Sequence, residues 1–138
     1  MKSITLNTKK EKEIVDITDR VTEIIQKNKI KDGVLHLFLT HTTAALTMAD
    51  LDPGTDLDML DAFEEIIPKL RYRHPHNPPH VPSHILSSLI GTSLTLLVEK
   101  GELVLGTWQR IVLVELDGPK ERKIIISLFH YSTKNGLC

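Results

Sequence analysis

Residues 94–131 read LTLLVEKGELVLGTWQRIVLVELDGPKERKIIISLFHY. Leu94–Val98, Leu103–Leu105, Gln109–Leu116 and Lys123–Tyr131 are strand-like runs, parted by Lys100-Gly101 and Asp117-Gly118-Pro119 turns. Ile111–Val114 and Ile124–Ile126 are apolar at consecutive positions rather than alternate ones. Strands of that kind face apolar surroundings on both sides, as in a sandwich or at a subunit interface. Glu115 breaks the apolar run and, if buried, needs a cationic partner, Arg122 or Arg110.

Upstream the signals are mixed. Residues 3–6 and 13–17 alternate apolar and polar types and predict short strands. Thr18 or Asp19 is placed to cap a helix whose stripe is Val21, Ile24, Ile25 and Asn28. Asp32-Gly33 then turns the chain into an apolar β-type stretch, Val34–Thr40. After His41-Thr42-Thr43-Ala44, the Asp52-Pro53-Gly54 turn leads to Thr55 and Asp58, spaced as a capping box. The helix that follows carries Leu57, Leu60 and Ile67 and stops at Pro68. Four of the seven prolines and three of the seven histidines fall in Arg71–Ser83, which reads as an extended loop. Ser83 then caps a short helix, His84–Ile90, closed by Gly91.

The 138 residues suit one domain spanning 1–138, with 41% hydrophobic and 25% charged residues. A net charge of −1 leaves no basic surplus for a nucleic-acid backbone, so neither nucleic acid nor membrane is an expected partner. Cys138 is the only cysteine, and no leader or spanning segment is visible, so the expected location is cytoplasmic.

Histidines are the natural candidates for chemistry. His41 follows a strand, His74 lies in the proline-rich loop, and His84 opens a helix, so all three sit at element ends where side chains can converge. Three neutral imidazoles and a water would make an open site for a divalent metal, zinc or magnesium. Local hydrogen bonding of each ring at the surface is the plainer alternative. Asp50, Asp56 or Asp58 could fix the ring tautomers. His36, His76, His80 and His130 are weaker candidates, and Cys138 has no assigned role.

An anion site is suggested by Ser83, His84 and Ser87 at the start of the last helix, where free amides and the helix dipole suit phosphate. Thr42 and Thr43 are further hydroxyl donors. Trp108 is read as a core or interface residue, Gly106 as a bulge or close backbone approach, and Gln109 as a residue able to face the site.

These segments together resemble the YjbQ family, sometimes called secondary thiamine-phosphate synthases. The resemblance rests on Ser93-x-x-Leu96-x-Val98-x-x-Gly101-x4-Gly106-Thr107-Trp108-Gln109-x-Ile111, on His41-Thr42-Thr43-Ala44, and on Tyr72-x-His74. Ser83-His84-Ile85 with Ser87-Ser88, and Asp117-Gly118-Pro119, extend it over nearly the whole chain. Ala49-Asp50-Leu51 departs from the family's Asn-Glu-Asn, and Lys120 stands where arginine is common. The resemblance implies an α+β fold with an antiparallel β-sandwich-type core and two to three helices, assembling as a homotrimer. It also implies a metal-binding histidine site and a weak thiamine-phosphate synthase activity. In that activity a pyrimidine-methyl diphosphate is joined to a thiazole phosphate, with His41 and His84 as catalytic candidates. The alternatives are a metal-dependent hydrolase of a small phosphorylated metabolite and a non-catalytic trimeric ligand- or metal-binding module.

Overall fold

The computed structural model describes residues 1–74 and 78–131. His76 and Cys138 lie outside them. In chain order the elements are β1 (Lys2–Asn7), β2 (Glu13–Asp16), α1 (Thr18–Lys27), β3 (Gly33–Leu39) and β4 (Ala44–Ala49). Then come α2 (Thr55–Ile66), a 3-10 turn (Pro78–His80), α3 (Val81–Ile90), β5 (Ser93–Glu99), β6 (Glu102–Leu103), β7 (Arg110–Glu115) and β8 (Glu121–His130).

The strands form two antiparallel sheets, one ordered β1-β8-β3-β5-β6 and the other β2-β7-β4. The expected α+β class, with an antiparallel two-sheet core and three helices, is what the chain adopts. Strand β7 explains the arrangement. Its Ile111 and Leu113 face one core, formed with Leu35, Leu37, Ile124, Ile126 and the Val21–Ile25 face of α1. Its Val112 and Val114 face a second core, formed with Ala45, Leu116, Ile67 and Leu86. The small sheet is therefore the middle layer, with the large sheet and α1 on one side and α2 and α3 on the other. A strand buried on both faces has no use for polar alternation, hence the unbroken apolar run.

Helix boundaries depart from the sequence reading in three places. Helix α1 is preceded by Ile17, and no side chain caps it. Thr18 instead donates its hydroxyl to Asp16 Oδ1 at 2.7 Å and accepts from the Ile111 amide at 2.8 Å, tying the helix to β7. Thr55 is the first residue of α2 rather than its cap, a place taken by Gly54 in the left-handed region. Helix α3 starts at Val81, so Ser83 lies inside its first turn. The Pro78–His80 turn adds those residues to the helix entrance, and Pro82 is tolerated in the first turn because no intrahelical bond needs its nitrogen. Strand β4, whose AALTMA carries no clean alternation, forms because β7 offers it a partner from Glu115 to Arg110.

Candidate functional site

Glu115 and Arg122 are the buried polar centre. Arg122, 1% exposed, donates from Nε to Glu115 Oε1 at 2.9 Å and from Nη2 to Oε2, giving a two-point pair. Nη2 also donates to the Thr43 carbonyl at 3.0 Å and the Thr43 hydroxyl at 2.9 Å. The Thr8 hydroxyl donates to Glu115 Oε1 at 2.6 Å, and the Leu116 and Asp117 amides donate to Oε2 at 2.9 and 3.2 Å. Burial opposes ionisation of Glu115, but the bonds from Arg122, Thr8 and the Asp117 amide together hold its carboxyl below the usual range. The pair joins β7 of the small sheet to β8 of the large one. Arg110, the other candidate partner, pairs with Asp16 at 2.8 Å instead.

His41 stands beside this network. Its Nε2 accepts the Lys123 amide at 2.9 Å. Burial, then the positive charges of Arg122 and Lys120, push the imidazole below its ordinary value against the opposing pull of Glu115. A neutral ring that accepts at Nε2 carries its proton on Nδ1. His84 donates from Nδ1 to the carbonyl of Thr42 at 3.1 Å, which leaves Nε2 as the lone-pair nitrogen of the neutral ring. Both rings are held by main-chain groups in the same tautomer, yet each has a different nitrogen to spare. His41 offers a donor and His84 an acceptor. His41, Thr42, Thr40, Ser88 and Gly91 line a cleft of about 370 Å³ between the end of β3 and α3.

The other expected site residues are placed as follows. Ser87, which also lines this cleft, is 3% exposed and donates to the Ala44 carbonyl at 2.7 Å; Ser83 donates to the Leu116 carbonyl at 2.9 Å. Both hydroxyls pin α3 to the small sheet. Thr43 accepts from Arg122, as described. Gln109 turns its Oε1 back onto the Gly106 amide at 2.8 Å and so closes its own loop, and the group packed against Gly106 is this side chain rather than another stretch of backbone. Trp108 is 70% exposed, which removes the core half of its reading. Asp50 lines a separate depression with Asp16, Asp52, Trp108 and Arg110.

His74 stacks on His84, with ring centroids 5.2 Å apart and planes 9° from parallel. A metal ion lies in the plane of each imidazole that ligates it, so two parallel stacked rings do not share one ion. His41 already uses Nε2 on Lys123. As placed, the three histidines do not fit a common metal centre, and among the described residues no group of three or more His, Cys, Asp or Glu is set to hold one. The sequence reading missed the Lys123 amide and Thr40. Neither carries a signal in the sequence: the main-chain donor is supplied by register alone, and Thr40 reaches the cleft only through where β3 ends against α3.

A two-sheet α+β chain with a cleft lined by His41 beside its last helix is the class of protein these features define. The family described as "UPF0047 protein YjbQ-like" matches residues 2–131, and the chain belongs to it. A UPF0047 protein of Archaeoglobus fulgidus is 37% identical over 89% of this chain and 96% of its own. UPF0047 protein YugU of Bacillus subtilis is 36% identical over 93% and 98%. Among solved structures, a YbjQ-like protein of unknown function from Sulfolobus solfataricus superposes with a TM-score of 0.87 at 35% identity, covering 94% of this chain and 96% of that one. An uncharacterized conserved protein of the family from Clostridium acetobutylicum gives 0.84 at 32%, covering 94% and 100%.

Proposed function

We propose that the cleft between β3 and α3 binds a small phosphorylated molecule and that the weak thiamine-phosphate synthase reaction takes place there. The observation that supports this most is the pair of fixed imidazoles with opposite free nitrogens. His41 Nδ1–H would donate to a phosphate oxygen, alongside the exposed hydroxyls of Thr42 and Ser88. In the reaction the thiazole nitrogen attacks the pyrimidine methylene carbon, a C–N bond forms, the C–O bond breaks and pyrophosphate leaves. Charge then grows on the departing oxygen, where a pre-oriented N–H donor is worth most. His84 Nε2 is the acceptor for a substrate N–H, or the base for a water where hydrolysis is the outcome.

Because the stacked rings do not fit a shared ion, no step is routed through a divalent metal. Zinc or magnesium held by His41, His74 and His84 requires His74 to leave its stack. The homotrimer is supported by the outer face of the large sheet, where Phe38, Leu97 and Phe129 are 46%, 49% and 60% exposed. Val34 lies opposite both Leu97 and Phe129, which makes this face continuous across β5, β3 and β8. The expected cytoplasmic location stays a proposal; among the described residues no helix is long and apolar enough to cross a membrane.

The test pairs condensation with metal analysis. Purified protein is assayed for thiamine phosphate from the two substrates and for phosphate release from a phosphoester panel, beside His41→Ala, His74→Ala and His84→Ala. Condensation lost in His41→Ala, with the fold intact, supports the reading. Hydrolysis without condensation moves the protein to the hydrolase class. Tight binding without turnover makes it a binding module. Metal lost selectively from all three variants would overturn the metal-free assignment.

A further inference from the structure

Helix α3 has a second flank, and a separate, largely apolar cavity lies there. Ser87 and Ser88 border the histidine cleft, whereas Pro82, Ser83 and Leu86 border a separate one of about 550 Å³. That volume falls within the roughly 300–1,000 Å³ typical of small-molecule sites. Its floor is Ile67, Leu86 and Leu116, all buried. Phe63 and Tyr72 supply aromatic walls, and the Tyr72 hydroxyl donates to the Pro68 carbonyl, which holds residues 68–72 in a closed turn.

The rim has a definite charge pattern. Lys12, Lys69 and Arg71 line it and have no ion-pair partner among the described residues. Of the three acids at the rim, Asp117 is already engaged by Lys120 at 2.6 Å and by His80 at 3.6 Å. Glu11 and Glu64 remain, so the free cations exceed the free acids. The amino-terminal, positive end of α3 opens on the same cavity through His80 and Pro82.

We propose that this cavity is a second ligand site, distinct from the histidine cleft, for a flat aromatic molecule bearing one anionic group, of the aryl carboxylate or sulfonate type. The apolar floor and aromatic walls take the ring system, and Lys69 and Arg71 take the charge. The histidine cleft plays no part in this binding.

Two probes test it on the full chain: anilinonaphthalene sulfonate, and the uncharged N-phenyl-1-naphthylamine, both followed by fluorescence. The expected result is one sulfonate site per chain. Lys69→Glu with Arg71→Glu, both exposed and outside either core, should weaken the sulfonate about tenfold and leave the uncharged probe within about threefold. Phe63→Ala should weaken both probes, and His41→Ala neither. Thermal melts by circular dichroism confirm that each variant is folded. Absence of saturable binding by the native chain, or binding indifferent to Phe63→Ala and to the charge reversals, overturns the proposal.

Discussion

Replacing Arg122 by Met is the most informative single change in this molecule. The substitution keeps most of the side-chain volume but removes the charge, both bonds to Glu115 and both bonds to Thr43. Glu115, 0% exposed, keeps the Thr8 hydroxyl and the Leu116 and Asp117 amides, so its carboxylate is stranded but not bare. Breaking a buried pair costs about 3–5 kcal/mol, and the three remaining donors place this case at about 3. Glu115→Gln leaves the guanidinium one neutral acceptor oxygen beside Thr43 but no counter-charge, and belongs nearer 4 kcal/mol on the same roughly 3–5 kcal/mol scale. Glu115→Leu with Arg122→Met removes both charges and should recover all but about 1–2 kcal/mol, because no ion is left without a partner.

Acidity supplies a sign that packing loss alone does not. In the native chain Glu115 titrates below its ordinary value. As pH falls, the unfolded chain therefore binds the proton first, and the pair's contribution is present above roughly pH 4.3 and lost as pH falls through the folded value. Without Arg122 the burial of Glu115 is opposed only by the Thr8 hydroxyl and the main-chain amides, so its carboxyl titrates higher than in the native chain and the variant loses less stability on acidification. The gap between native and Arg122→Met should narrow between about pH 7 and pH 4. Urea unfolding followed by far-ultraviolet circular dichroism at fixed protein concentration measures it, with a melting-point loss of roughly 10 °C expected at neutral pH. A loss under about 1 kcal/mol at pH 7, the scale of an exposed pair, would refute the reasoning, as would a gap that stays constant with pH.

Three further outcomes are expected. Gly33→Ala places a Cβ 2.1 Å from the Phe129 carbonyl oxygen, a main-chain atom that cannot swing away. Stability should fall by about 2 kcal/mol or more in a denaturant titration. Ser87→Ala removes the buried bond to Ala44 and should cost about 1–2 kcal/mol while leaving phosphate affinity unchanged; the reverse result would make Ser87 a ligand-binding group. Long-range proton–nitrogen NMR at pH 8 should find the proton on Nδ1 of both His41 and His84, whereas an Nε2 proton on His41 would break its bond to Lys123.

The class of fold was legible along the chain because burial leaves its mark on residue type. The apolar positions of β7 told of a strand covered on both faces, and Glu115 announced a buried partner, for which Arg122 was one of two named candidates. Gly91 at the end of α3 and Gly101 in the turn after β5 were readable for a different reason, since their positive φ favours glycine. What the sequence could not supply were relations between residues distant in the chain. Strand β4 exists through its pairing with β7. The Ser83 and Ser87 hydroxyls look like phosphate donors until tertiary packing sets them against the Leu116 and Ala44 carbonyls. Whether three histidines converge depends on ring orientation, and orientation is set here by two main-chain groups, the Lys123 amide and the Thr42 carbonyl, that every residue type carries alike. Residue identity decides which groups must be buried or paired; only the assembled backbone decides which ones meet.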